Sequence, residues 1–256
     1  MFVRVVSWAL MLCLLATAPA AAHFGMVIPQ TNILEKPGAL QVELRFWHPR
    51  EGQGMNLVKP QEAGVALAGR KQDLLPALTQ VKLGGYSAWR VAYQIKRPGD
   101  YIFYMTPQPY WEPSEKSFII HYTKTIVSAM GAESGWDRAL GLPMEIIPLT
   151  RPYGLYAGNS FSGRVLYKGK PLPGAVVEVE FFDLGGKRKA AADSYVAQVI
   201  KTDAGGMFTW SLPWPGWWGF AALHTPEDLK IKKDGQDREV ELGGVLWLYA
   251  APVPGR

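Results

Sequence analysis

The chain has 256 residues, 27 Lys+Arg against 22 Asp+Glu, a formal net charge of +5 and one cysteine. The positive excess is mild and scattered, which gives no nucleic-acid footprint, and a single cysteine excludes an intramolecular disulfide or a thiolate metal cluster. Ten Trp, eleven Tyr and ten Phe, with frequent Gly and Pro and many short β-branched runs, favour an all-β architecture over helices.

The amino terminus has the three parts of a secretory leader. Arg4 supplies a positive n-region, "VVSWALMLCLLA" (Val5–Ala16) an apolar run, and Pro19 with the alanines up to Ala22 a cleavage site. The run falls short of the roughly 20 apolar residues that a spanning helix needs. Cys13 lies inside the run, without the small residues before it that a lipoprotein site shows. Residues 1–22 are therefore expected to be a cleaved signal peptide, and the mature protein to be periplasmic and free of cysteine. What remains, about 234 residues, suits one large or two modest domains.

The first unit, residues 23–147, opens with "LQVELRFW" (Leu40–Trp47). Leu40, Val42, Leu44 and Phe46 face one way and Gln41, Glu43 and Arg45 the other, the signature of a half-buried strand. "QDLLPAL" suggests a short helical turn limited by Pro76. "AWRVAYQI" (Ala88–Ile95), "DYIFYMT" (Asp100–Thr106) and "KSFIIHYTKTIVSA" (Lys116–Ala129) read as further strands, and "KRPGDY" as a Pro-Gly turn that joins the first two into a hairpin.

Prolines and glycines cluster in "GLPMEIIPLTRPYGLYAGN" (Gly141–Asn159) and mark a boundary. In the second unit, residues 148–256, "SFSGRVLYKGKPLPGAVVEVEFFD" gives strand, K-G-K turn, Pro-rich bend and strand. "TDAGGMFTWSLPWPGWWGFAALH" and "VELGGVLWLYA" follow, while "KIKKDGQDR" reads as a solvated turn. Short strands at this spacing predict a β-sandwich. In "TDAGGMF", Asp203 is placed to cap the turn, Gly205 and Gly206 to supply positive φ, and Phe208 to point inward. "GKPLPGAVVEV" and "TDAGGMFTWSLPWPGWWGFAA" resemble the transthyretin-like or carboxypeptidase-regulatory-like Ig-type modules, a resemblance that implies a scaffold rather than a chemistry.

The candidates for chemistry are four histidines and one carboxylate. No HExxH, G-x-S-x-G, P-loop or G-x-G-x-x-G is present, so a hydrolase reading has no support and no enzymatic role is expected. A cut after Ala22 would make His23 the first residue, where its α-amine and imidazole chelate one metal. An earlier cut, leaving Ala21-Ala22-His23, would offer a square-planar set of four nitrogens suited to Ni(II) or Cu(II). Against this stands the plain reading that a histidine follows the cleavage site by chance. His48 ends an alternating strand just before a Gly-rich loop. His121 sits mid-strand on the face of Ile119 and Thr123, a place more often held by a hydrogen-bonded core histidine. His224 ends a strand of the second unit and ranks below the others. Glu112, between the prolines of "PQPYWEPSEKSF", is a candidate ligand, a carboxylate that orients an imidazole, or a surface carboxylate. "WPGWWGF" is a conceivable sugar platform, though tryptophans of a sandwich more often pack.

Taken together, "AHFGMVIP", "FWHPREGQGMNL", "RPGDYIFYMTPQPYWEPSEKSFIIHYTK", "EIIPLTRPYGLYAGNSFSG" and "GWWGFAAL" resemble an exported bacterial family labelled as a nickel-uptake substrate-specific component, which accompanies energy-coupling-factor type Ni/Co transporters. The resemblance implies a soluble periplasmic accessory that binds Ni(II) or Co(II) and passes it to a membrane-embedded permease, with His23, His48 and His121 as one ligand shell. Imidazoles and an amine also suit Cu(II) and Zn(II). Two other classes remain: a copper protein or enzyme built on an amino-terminal histidine brace, and a carbohydrate-binding or adhesion sandwich with structural histidines.

Overall fold

The computed structural model describes residues 23–183, 188 and 190–255; the expected leader, residues 1–22, lies outside them. Regular structure among the described residues is strand, apart from the single 3-10 turns Leu75–Ala77 and Asp193–Tyr195. The expected all-β architecture is the observed one, and the first of these turns lies where "QDLLPAL" predicts it.

Among the described residues there are three sheets, of five, twelve and four strands. The five-stranded sheet holds Phe24–Pro29, Gly38–His48, Tyr86–Ile95 and Thr79–Leu83 in that order, with Gln53–Met55 paired to Gly38–His48. The four-stranded sheet holds Met144–Pro148, Ser160–Tyr167 and Lys170–Pro171, with Met207–Ser211 paired to Ser160–Tyr167. Between them runs the large sheet. Its middle is the parallel pair of Ser117–Ala129 with Gln236–Ala251, in which His121 stands opposite Gly243.

The Ser117–Ala129 strand shows why two cores form. Ile119, Val127 and Ala129 bury with Leu40, Val42, Leu44 and Phe46 of the five-stranded sheet. Ile126, with Phe118, Ile120 and Tyr122 beside it, turns to the other core, with Ile146, Phe161, Val165 and Phe208. Alternate residues of a strand point to opposite faces, so one sheet supports a sandwich on each side. The cores use the residues that alternation assigned, including Phe208. Met144–Pro148 straddles the expected boundary at residues 147 and 148 and pairs with Ser160–Tyr167.

Turn chemistry follows the sequence in the second unit except at Gly205, which does not take the positive φ expected of it. Asp203 Oδ1 accepts the N–H groups of Gly205 and Met207, each at 2.8 Å. Gly206 has φ +72, and a Cβ there would meet Leu172 N at 2.9 Å. "KIKKDGQDR" is more than a solvated turn: Lys230–Lys233 pairs with Gln236–Glu239 around Asp234 and Gly235, both at positive φ, as a two-residue hairpin loop requires.

One expectation is corrected. "KRPGDY" does not close a hairpin. Tyr86–Ile95 pairs within the five-stranded sheet, whereas Gly99–Thr106 pairs with Glu62–Leu67 and with Ser117–Ala129 in the large one. The Pro-Gly corner carries the chain from one layer of the sandwich to the other. Gly99 sits at φ +155, where a Cβ would stand 2.4 Å from Leu67.

A buried ion pair ties the interdomain segment to this sheet. Lys124 Nζ lies 2.6 Å from Glu145 Oε1, both side chains nearly inaccessible. The Glu145 carboxylate also accepts the N–H groups of Leu140 (2.8 Å) and Gly141 (3.1 Å). Burial pushes the Lys124 pKa down, and Glu145 works against that shift.

Candidate functional site

The amino-terminal strand Phe24–Pro29 lies across the large sheet because two glycines permit close approach. A Cβ on Gly25 would stand 2.3 Å from Thr123 Oγ1 and 3.0 Å from His121 Cβ; one on Gly219 would stand 3.0 Å from Phe24. Trp247 Nε1 donates to Gly25 O at 2.8 Å, and Gly25 N donates to His121 Nδ1 at 3.3 Å. The strand is thereby fixed at its first turn of sequence, and His23 with it.

Register then brings the histidines together. Phe24 pairs with Trp47 in the antiparallel ladder, so His23 falls across from His48, and their ring centroids are 4.4 Å apart. The loop after His48 is held by Arg50 N donating to Glu180 Oε2 (3.2 Å) and Asp183 N to Pro49 O (3.2 Å). The short strand Tyr110–Glu112, paired with Ser117–Ile119, adds the carboxylate: His23 Nε2 lies 2.9 Å from Glu112 Oε2. Phe46 and Tyr110 flank the His23 ring at 5.6 and 5.8 Å.

The electrostatics follow from burial. The His23 pKa is lowered to about 4, first by burial, then by His48 and His121, with Glu112 and Glu241 opposing. At neutral pH His23 is therefore an uncharged imidazole whose Nε2–H donates to Glu112, rather than the cation of an ion pair. Burial pushes the Glu112 pKa up, but the hydrogen bonds from Ser114 and the nearby His23 and His48 bring it below its usual value. Ser114 N (2.9 Å) and Ser114 Oγ (2.6 Å) both donate to Glu112 Oε1, which leaves Oε2 to His23.

His121 is 2% exposed. Its Nδ1 accepts from Gly25, so Nε2 carries the proton; that atom has no hydrogen-bond partner and lies 3.9 Å from Glu241 Oε1. Its ring meets Phe46 edge-on at 5.9 Å. Of the residues singled out in the sequence, His23, His48 and Glu112 form one cluster with His121 behind Phe46. His224 is elsewhere, edge-on to Tyr167 at 4.5 Å. Sequence reasoning missed Glu241, which only the parallel register with Ser117–Ala129 brings near His121. Among the described residues no three His, Cys, Asp or Glu side chains form a ready metal-holding group. His23 and Glu112 meet through an Nε2–H to Oε2 hydrogen bond rather than as a preformed chelate.

In "WPGWWGF" the tryptophans mainly pack. Trp218 is buried and stacks on Trp214 at 5.8 Å, and Trp217 meets Tyr249 at 5.5 Å.

The sequence profile of DUF4198, a domain of unknown function, matches residues 20–226. The chain belongs to the DUF4198 family. No curated protein matches this DUF4198 chain. Among solved structures it is similar to the dimeric latent PorU of Porphyromonas gingivalis (12% identity, 87% of this chain and 20% of that one, TM-score 0.23). It is similar as well to the adhesin InvE of Yersinia pseudotuberculosis (13%, 86% and 58%, TM-score 0.22). A third is Escherichia coli alpha-2-macroglobulin spanning domains MG0-NIE-MG1 (8%, 88% and 72%, TM-score 0.25). The DUF4198 chain thus spans a fifth of the PorU chain and under two thirds of the InvE chain.

Proposed function

We propose that this DUF4198 protein is an exported carrier that captures Ni(II) or Co(II) in the periplasm and supports its delivery to a membrane-embedded uptake permease. The observation that carries the reading is the pair His23 Nε2 and Glu112 Oε2 at 2.9 Å, with the His48 ring beside them. An imidazole–carboxylate set suits borderline divalent ions, among them Zn(II) and Cu(II), and the absence of thiolate disfavours soft ones. Removal of the leader after Ala22 would give His23 an α-amine, which can chelate an ion only together with Nδ1 of the same ring, leaving Nε2–H on Glu112 as the contact that orients it. In this reading His121 stands behind Phe46 and could join the donors through Nε2 only if its proton moved to Nδ1 and the Gly25 N–H gave up that atom. The reading assigns no catalytic step. A site whose donors must rearrange to take an ion is suited to cargo that is later released, and the carboxy-terminal unit serves as a transthyretin-like scaffold.

The test is isothermal titration of Ni(II) into protein exported and purified with its native amino terminus. One Ni(II) per chain is expected, with His23→Ala weakening binding at least tenfold, about 1.4 kcal/mol or more. Unchanged affinity in the variant removes the reading.

A further inference from the structure

Next to the histidine cluster lies a cavity of about 330 Å³ walled by Phe46, Leu57, Val58, Tyr110, Trp111 and Ile119. Phe46 and Tyr110 touch His23 as well, so the two sites share a wall.

The cavity is braced from both sides. On one, Trp89 Nε1 donates to Leu57 O at 3.0 Å, and Ser87 N to Asn56 Oδ1 at 2.8 Å. On the other, Trp111 meets Phe118 edge-on at 5.1 Å, with Lys233 Nζ 5.1 Å and the Arg238 guanidinium 5.7 Å from its ring centre. Pro107 and Pro109 stiffen the rim. Val58, 66% exposed, lies at the lining and is the most exposed large apolar side chain described.

The polar atoms of the lining narrow the ligand class. Asn56 Oδ1 accepts from Ser87, and Gln108 Oε1 accepts from Gln61 Nε2 at 3.0 Å. Each amide oxygen already accepts one N–H, which orients the side chain and presents its NH2 as a donor to a ligand. No charged residue lines the space. Small-molecule sites combine this size, apolar walls and a few polar groups.

We propose that this cavity binds a compact, neutral, ring-bearing organic molecule that carries one hydrogen-bond acceptor, and that its occupancy is felt at His23 through Phe46 and Tyr110. The inference is independent of metal binding.

The experiment titrates benzamide and 2-naphthamide into the metal-free, full-length exported protein, read by calorimetry and by the NMR signals of the His23 ring. At least one probe is expected to saturate a single site with Kd below about 1 mM and to shift the His23 ring signals. Val58→Glu, which alters an exposed side chain and should leave the thermal transition unmoved, is expected to weaken that binding at least tenfold. Trp111→Ala, which removes a wall, does the same. Failure of both probes to saturate wild type overturns the proposal, as does equal binding by wild type and Val58→Glu. Binding that leaves the His23 signals in place overturns the coupling. Loss of Ni(II) binding with probe binding intact would count against the metal reading alone.

Discussion

Gly243 faces His121 across the parallel pair of the large sheet, and its missing Cβ is the space that the imidazole occupies. A Cβ there would stand 2.3 Å from His121 Cδ2 and 2.7 Å from Nε2. The ring has little freedom to yield, since Gly25 N holds Nδ1 and Phe46 lies edge-on against it.

Gly243→Ala is therefore expected to destabilise the protein by about 1–3 kcal/mol, the usual cost of overpacking. Gly38→Ala, where a Cβ meets nothing within 4 Å, is the control and should change little. Urea denaturation compares them; equal midpoints would show that the ring moves freely.

The pH dependence runs opposite to that of a stabilising histidine cation. His23 has a folded pKa of about 4 against 6.5 unfolded, so between these values the unfolded chain binds more protons. Stability should rise with pH from about 4 to 6.5 and level off above. His23→Gln should flatten that rise. Burial thus moves the titration that an ordinary imidazole shows near pH 6.5 down to about 4 at His23. An NMR titration of the metal-free protein that finds His23 titrating near 6.5 would refute the shift.

Ser114 holds the Glu112 carboxylate for His23. Ser114→Ala removes the hydroxyl donor at 2.6 Å, so the Glu112 pKa should rise toward its ordinary value. If Glu112 is a ligand, Ni(II) affinity should fall roughly tenfold, as for other residues that orient ligands, while Ser114→Thr keeps it. An Ala variant with wild-type affinity would make Glu112 a bystander.

Lys124→Met strands the Glu145 carboxylate in the interior and should cost about 3–5 kcal/mol. The double variant Lys124→Met, Glu145→Gln should recover part of that loss. Thermal unfolding of the single and double variants decides it, and additive losses would argue against a pair.

Much of this was legible because it is local. Alternation in Leu40–Trp47 and in Lys116–Ala129 assigned the buried faces, and "TDAGGMF" carried its own turn chemistry through Asp203 and Gly206. His23, His48 and Glu112 could be nominated one by one, as donor types at strand ends and a proline-bounded stretch. Their meeting was not legible, since it depends on the ladder register of Phe24 with Trp47 and on the short strand Tyr110–Glu112. Two features were hidden altogether. Glu241 and Gly243 reach His121 through a pairing that no neighbouring residue announces. The corner at Pro98 and Gly99 reads the same whether the chain reverses within a layer or crosses to the next, and only the partners of the flanking strands decide.

The parallel pairing of residues 118–125 with 240–247 has a kinetic consequence. The strand that carries His121 acquires its neighbour on this side only when Gln236–Ala251 arrives, and contacts so distant in sequence form slowly because loop closure precedes their reward. Until then Ser117–Ala129 presents a bare edge, the kind of surface that recruits other chains. The window before Gln236–Ala251 docks is when chaperone protection should matter most, and carboxy-terminal truncation should yield aggregation rather than a smaller working unit.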